Sequence, residues 1–104
     1  MEKYKVKVIT QVKNIQRRVK LEKQQFFQDI PFEYVIGIDG KKYELTEFDE
    51  DLIKGNDYEK YGIHIPSLVA ANYTHLNLLE ECANQDLPYF IFEDDANQLQ
   101  EFPL

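Results

Sequence analysis

Leu87-Pro88-Tyr89-Phe90-Ile91-Phe92-Glu93-Asp94-Asp95-Ala96 is a short apolar run opened by a proline and closed by three consecutive carboxylates. A run this short, aromatic and β-branched, with no polar alternation, predicts a strand buried on both faces, as in a parallel sheet. It would deliver Glu93, Asp94 and Asp95 to its carboxyl end. In front of it, Pro66 suits a first helical turn, and Leu68, Ala71, His75, Leu79 and Cys82 recur at helical steps until Asp86 and Pro88 close the segment. A helix therefore feeds the strand.

The amino-terminal half repeats this order. Tyr4 to Thr10 alternates apolar residues with Lys5 and Lys7, which predicts a first strand. Asn14 is a good N-cap, and Ile15, Val19 and Phe26 recur near a helical period up to about Gln28, with Pro31 as the stop. Phe32 to Ile38 predicts a second strand ending in the turn signal Asp39-Gly40. Lys42 to Leu45 could extend it, and Phe48 to Lys54, followed by Gly55 and Asn56, suits a short helix with a glycine stop. Strand, helix, strand, helices, strand is the order of an α/β fold with a mostly parallel sheet. Ligands of such sheets sit at the carboxyl ends of the strands, where Thr10, Asp39 and Glu93 to Asp95 all fall.

Composition narrows the functional classes. The 104 residues suffice for one small domain, and 43% apolar residues supply its core, so general disorder is excluded. The net charge of −7 divides unevenly: residues 1–30 carry eight Lys/Arg against three Asp/Glu, residues 31–104 four against sixteen. The basic cluster Lys13, Arg17, Arg18, Lys20 and Lys23 suits either an anionic ligand or the wet face of a helix. An acidic total without an Arg-rich or Gly-rich tract argues against nucleic acid as a partner. Cys82 is the sole cysteine, so no intrachain disulfide can form, and with only His64 and His75 beside it a structural zinc site has no support. The charge-free run Tyr61 to Leu79 is interrupted by His64, Pro66, Ser67, Asn72, Thr74, His75 and Asn77, so a transmembrane segment is not expected.

Three clustered carboxylates on a strand end offer the hard oxygens that Mg²⁺ or Mn²⁺ prefers, and such an ion can bridge to phosphate oxygens. The same triplet also suits a solvated turn of an acidic protein. The surrounding pattern is more specific. Thr74-His75, a spacer to Leu87-Pro88-Tyr89, then Phe90-Ile91-Phe92-Glu93-Asp94-Asp95-Ala96 resembles the core of glycosyltransferase family 25, the lipopolysaccharide-type galactosyltransferases. Val6-Lys7-Val8-Ile9-Thr10, Arg17-Arg18 and Ile38-Asp39-Gly40 stand where that family has its first strand, paired arginines and Val-Asp-Gly. Residues 4–96 follow the family's amino-terminal half. Ser67 to Thr74 departs from it, lacking the glycines that usually precede the Ser-His pair.

The resemblance implies a Rossmann-like GT-A nucleotide-sugar-binding half, one incomplete donor-binding domain over residues 1–104, truncated after the acidic motif. It implies a parent activity moving a hexose, galactose by family, from a UDP-sugar to a lipopolysaccharide or lipooligosaccharide acceptor met only by a full-length relative. Glu93 and Asp95 would then hold Mn²⁺ or Mg²⁺, while Thr10, Arg17, Asp39, His75 and Asp94 would line the donor; no general base is identified. Residue by residue, Arg17 also suits plain helix decoration, Asp39 a plain turn, and His75 a hydrogen-bonded core position. The expected setting is cytoplasmic, at most peripheral to the inner face of the membrane, and an unfinished parallel sheet exposes an edge that favours self-association. The alternative is a non-catalytic remnant or interaction module that keeps only the α/β shell.

Overall fold

The computed structural model describes residues 3–55, 60 and 62–98. Its elements are β1 (Lys5–Thr10), α1 (Ile15–Glu22), α2 (Gln25–Asp29), β2 (Glu33–Ile36), α3 (Glu47–Ile53), α4 (Ile65–Gln85) and β3 (Tyr89–Glu93). The protein is α/β with a three-stranded, fully parallel sheet of order β2-β1-β3. Residues Lys42 to Leu45 form no strand. Asn56, the second half of the expected helix stop, lies outside the described residues, whereas Gly55 takes the left-handed φ of +87° that a glycine accepts without strain. Among the described residues no helix is long and apolar enough to cross a membrane.

The chain divides into two compact units, one of Met1–Ile36 with Cys82–Leu104, the other of Gly37–Glu81. The first holds the whole sheet. Its register pairs Val8 with Tyr34 on one side and with Phe92 on the other, so the period-two alternation of three strands gathers these side chains on one face. Val8, Leu21 and Phe27 form the buried core, with Phe26, Phe32, Tyr34, Phe92 and Ala96 packed around them. The Phe27 ring meets Phe26, Phe32 and Phe92 edge-on at 5.0, 5.4 and 5.5 Å, the geometry aromatic quadrupoles prefer. On the opposite face the buried Lys7 extends its ammonium to Glu33 (2.9 Å) and over the Tyr89 ring. The Tyr34 hydroxyl is buried without a well-aligned partner, and burial, then the nearby Glu22 carboxylate, push its pKa up to about 12.

Two helical expectations are corrected here. The helix expected from Asn14 to Gln28 is two helices, because Gln24 adopts an extended ψ of 138° and caps α2. Nothing in residues 14–28 announces this, since the segment has neither Gly nor Pro; the cause is a tertiary contact of the Gln24 side chain. Ile15 and Val19, expected to face the core, are 62% and 48% exposed, and Leu21 is the buried residue of α1.

In the second unit, Thr46 and Asp49 form a reciprocal capping box at the start of α3. The inward face of α4 is Val69, Ala70, Thr74 and Leu78, not the expected stripe of Leu68, Ala71, His75, Leu79 and Cys82, of which Ala71 and Leu79 are exposed and the others half-buried. Thr74 conceals this face from a hydropathy reading. Its hydroxyl donates to the Ala70 carbonyl (3.0 Å) and accepts from the Ile38 amide (3.1 Å), so a polar side chain is buried at low cost. Asp86, at φ +53°, ends α4, and the chain enters β3 through Pro88, whose carbonyl accepts from Lys5 N.

Candidate functional site

β2 and β3 flank β1 on opposite sides, so the carboxyl ends of β1 and β3 lie next to each other, on the side of a parallel sheet at which ligands bind. The register pairs Ile9 with Glu93, and Asp94 N extends the ladder to Ile9 O at 3.0 Å. Thr10 and Asp94 therefore meet, although 84 residues separate them.

Asp94 is 5% exposed and fully engaged. Its Oδ2 accepts from Thr10 Oγ1 (2.8 Å) and Asn14 Nδ2 (3.1 Å), and its Oδ1 accepts from Arg17 Nη1 (3.3 Å). Burial alone would raise the Asp94 pKa, but the three donors and the Arg17 charge outweigh it and hold the carboxyl below its usual value. Asn14 takes the N-cap position of α1 without a side-chain capping bond, and its Nδ2 donates to Asp94.

The paired arginines have separate tasks. Arg18 turns back onto the β1–α1 loop, donating to the carbonyls of Gln11 and Val12 and to Thr10 Oγ1. Thr10 accepts from Arg18 and has a single proton to give, which its shortest contact directs to Asp94. Among the described residues Arg17 is bound at Nη1 alone, and its side chain is 59% exposed.

Beside this network lies a cleft of about 230 Å³ lined by Arg17, Lys20, Gln24, Asp94, Asp95 and Asn97, with Leu21 and Ala96 at its base. Gln24 shapes its floor. The Gln24 amide donates to Ala96 O (2.8 Å) and accepts from Gln98 N, while Gln98 Oε1 accepts from Phe26 N at the start of α2 (2.9 Å). This exchange fastens the chain after the acidic triplet to the α1–α2 break. Sequence reasoning missed both glutamines, because a side chain pairing with backbone across 72 residues leaves no local pattern.

Of the residues expected to form the site, Thr10, Arg17, Asp94 and Asp95 are brought together. Thr10 and Asp94 are buried in the network, while Arg17 and the exposed Asp95 line the cleft. Glu93 is exposed, and strand alternation puts it on the other face of the sheet from Asp94. Asp39 and His75 belong to the second unit. Asp39 builds an Asx turn, accepting from Lys41 N at 2.9 Å, and His75 is half-buried on α4.

Comparison with protein-family models, with characterised proteins and with solved structures found no match. The geometry must speak for the site. Among the described residues no three His, Cys, Asp or Glu side chains converge as a metal cage. Asp95 is the one exposed carboxylate among the described residues lining the cleft and stands beside two cationic side chains, so a Mg²⁺- or Mn²⁺-sized ion would find one protein carboxylate here and would depend on phosphate oxygens and water for the rest of its shell.

The second unit holds a further buried acid. Asp49, 1% exposed, accepts from Tyr43 Oη (2.6 Å), Tyr73 Oη (2.7 Å) and Thr46 N (3.0 Å). The Tyr43 hydrogen bond first, then those of Thr46 and Tyr73, lower its pKa to about 2, and the carboxylate in turn pushes Tyr43 up to about 12 and Tyr73 upward. Tyrosines driven away from ionisation are poor acid–base groups at neutral pH, so this cluster is a tie between α3 and α4. Only the Thr46–Asp49 spacing could have hinted at it.

Proposed function

We propose that the cleft is the diphosphate-binding part of a nucleotide-sugar site, in the donor-binding half of a family 25-like glycosyltransferase with a GT-A type fold. The parent activity is transfer of a hexose, galactose by resemblance, from a UDP-sugar to a lipopolysaccharide-type acceptor in the cytoplasm. Arg17 and Lys20 would meet the diphosphate, and Asp95 would hold Mn²⁺ or Mg²⁺ against it; Glu93, on the other face of the sheet, would not reach this cleft. The metal would supply charge neutralisation for a leaving diphosphate. The observation that carries this reading is a cleft at the carboxyl ends of β1 and β3 that presents two cations and one exposed carboxylate together.

Calorimetric titration of UDP with and without Mn²⁺ tests it. Metal-dependent binding that is lost in Asp95→Ala and weakened about tenfold in Lys20→Ala is expected, as for one charge-assisted contact of about 1.5 kcal/mol. Absence of binding to the unmodified protein, with its fold intact by circular dichroism, would remove the reading.

A further inference from the structure

We propose that Asp94 is a positioning residue: it acts on a ligand through the Arg17 guanidinium, which it holds in a fixed pose on the wall of the cleft. The inference rests on the reading above for the identity of the anion, though not for the ordering of Arg17. The acidic triplet suggests three ligand-facing carboxylates, but the hydrogen bonds of Asp94 argue otherwise. Three donors occupy its two oxygens, it is 5% exposed, and its backbone amide is spent on Ile9. Three of the about four acceptor positions of the carboxylate are thus taken, and its burial leaves little surface for an incoming ribose or metal.

Arg17 has the complementary arrangement. One of its five N–H donors is fixed on Asp94 Oδ1, and the rest of a largely exposed, planar fork remains available on the side of the cleft. Asp94 is itself immobilised by Thr10 and Asn14, and Thr10 is oriented by Arg18, which also ties down the loop carbonyls of Gln11 and Val12. The chain of contacts therefore runs from a rigid loop to a buried acid to an exposed cation. Ordering a long side chain before the ligand arrives removes part of the entropy that binding would otherwise lose.

This role predicts an effect opposite in sign to simple electrostatics. Asp94→Asn deletes a negative charge beside an anion site, so a charge effect alone would tighten pyrophosphate binding. Loss of Arg17 ordering would weaken it by about 2- to 10-fold.

The experiment titrates inorganic pyrophosphate with Mg²⁺ into the unmodified chain, Asp94→Asn, Arg17→Ala and the double variant, with ¹⁵N–¹H spectra of the arginine side chains recorded in parallel. Weaker binding in Asp94→Asn, no additional loss when it is combined with Arg17→Ala, and disappearance of resolved Arg17 Nη–H signals are expected. Equal or tighter binding in Asp94→Asn, or losses that multiply in the double variant, would overturn the proposal. If the unmodified chain binds no pyrophosphate, the donor-site reading fails. The spectra then decide the positioning role alone: Arg17 signals unchanged by Asp94→Asn refute it, and their loss upholds it. Should Asp94→Asn not fold, Asn14→Ala removes one of the supports of Asp94, and the same signs apply at about twofold.

Discussion

Replacing Gly40 by alanine tests the packing of the Asp39-Gly40 turn in the Gly37–Glu81 unit. A Cβ on Gly40 would lie 2.7 Å from the Ser67 Cβ and closer still to the Ser67 Cα and Oγ, in the first turn of α4. The nearest obstacle is backbone, so no rotamer change relieves it. Gly40 has no left-handed φ, and alanine could adopt its conformation. With free space, the substitution would stabilise by about 0.4–1 kcal/mol through the unfolded chain. Overpacking against backbone costs about 1–3 kcal/mol. The balance is a loss of roughly 1–2 kcal/mol, a fall in Tm of about 5–15 °C for a chain of this size. Thermal melts followed at 222 nm measure it. Adding Ser67→Ala removes only the hydroxyl from the crowded spot and should rescue little, because the backbone of residue 67 still blocks the new methyl group. A Tm for Gly40→Ala equal to or above that of the unmodified protein would show that the turn and α4 do not approach as described.

Acid should unfold the protein in a defined window. Asp49 and Asp94 both ionise below their ordinary range, so the stability they contribute is present above the ordinary carboxylate range and is lost as pH falls below it, for Asp49 as pH falls through about 2. Melts between pH 8 and pH 2 should show a plateau and then a decline, and the Asp49 carboxyl carbon should titrate near 2 by NMR; a decline beginning at pH 6 would implicate other groups. At the alkaline end Tyr43, raised to about 12, contributes stability that is complete below pH 10 and disappears as pH rises through 12. Gln24→Ala should cost about 1–3 kcal/mol in urea unfolding, since it strands Ala96 O and Gln98 N in a half-buried setting. Unchanged stability would mean that water replaces the amide.

Much of the architecture was legible from local pattern. The apolar run before Glu93, the alternation in Tyr4 to Thr10 and the aromatic segment Phe32 to Ile38 hold the three parallel strands, the second shortened to Glu33–Ile36, and of the residues expected at their carboxyl ends Thr10, Asp94 and Asp95 come together, whereas Glu93 lies on the other sheet face and Asp39 in the other unit. What stayed hidden depends on partners far away in sequence. The turn at Gln24 answers to Ala96 and Gln98, the inward face of α4 passes through Thr74 because Ala70 and Ile38 satisfy its hydroxyl, and Asp49 is buried because Tyr43 and Tyr73 reach it. The orientation of Asp94 follows from strand alternation, yet its saturation by Thr10, Asn14 and Arg17 does not. Hydropathy treats all these polar groups as solvent-seeking, and their burial follows from hydrogen bonds that no short window contains.

The central position of β1 also governs how the protein must assemble. β1 has one neighbour that follows within some thirty residues, and another that is 84 residues away along the chain. At about 5–20 residues per second of synthesis, β1 waits several seconds with one side unpaired. Closing so long a loop is entropically slow, and prior folding of the intervening Gly37–Glu81 unit would shorten the effective distance to be closed. The rung that completes the sheet, Asp94 N to Ile9 O, is adjacent to the Thr10–Asp94 hydrogen bond that builds the site. The last rung of the sheet and the hydrogen bond that orients Asp94 beside the cleft therefore depend on the same residue.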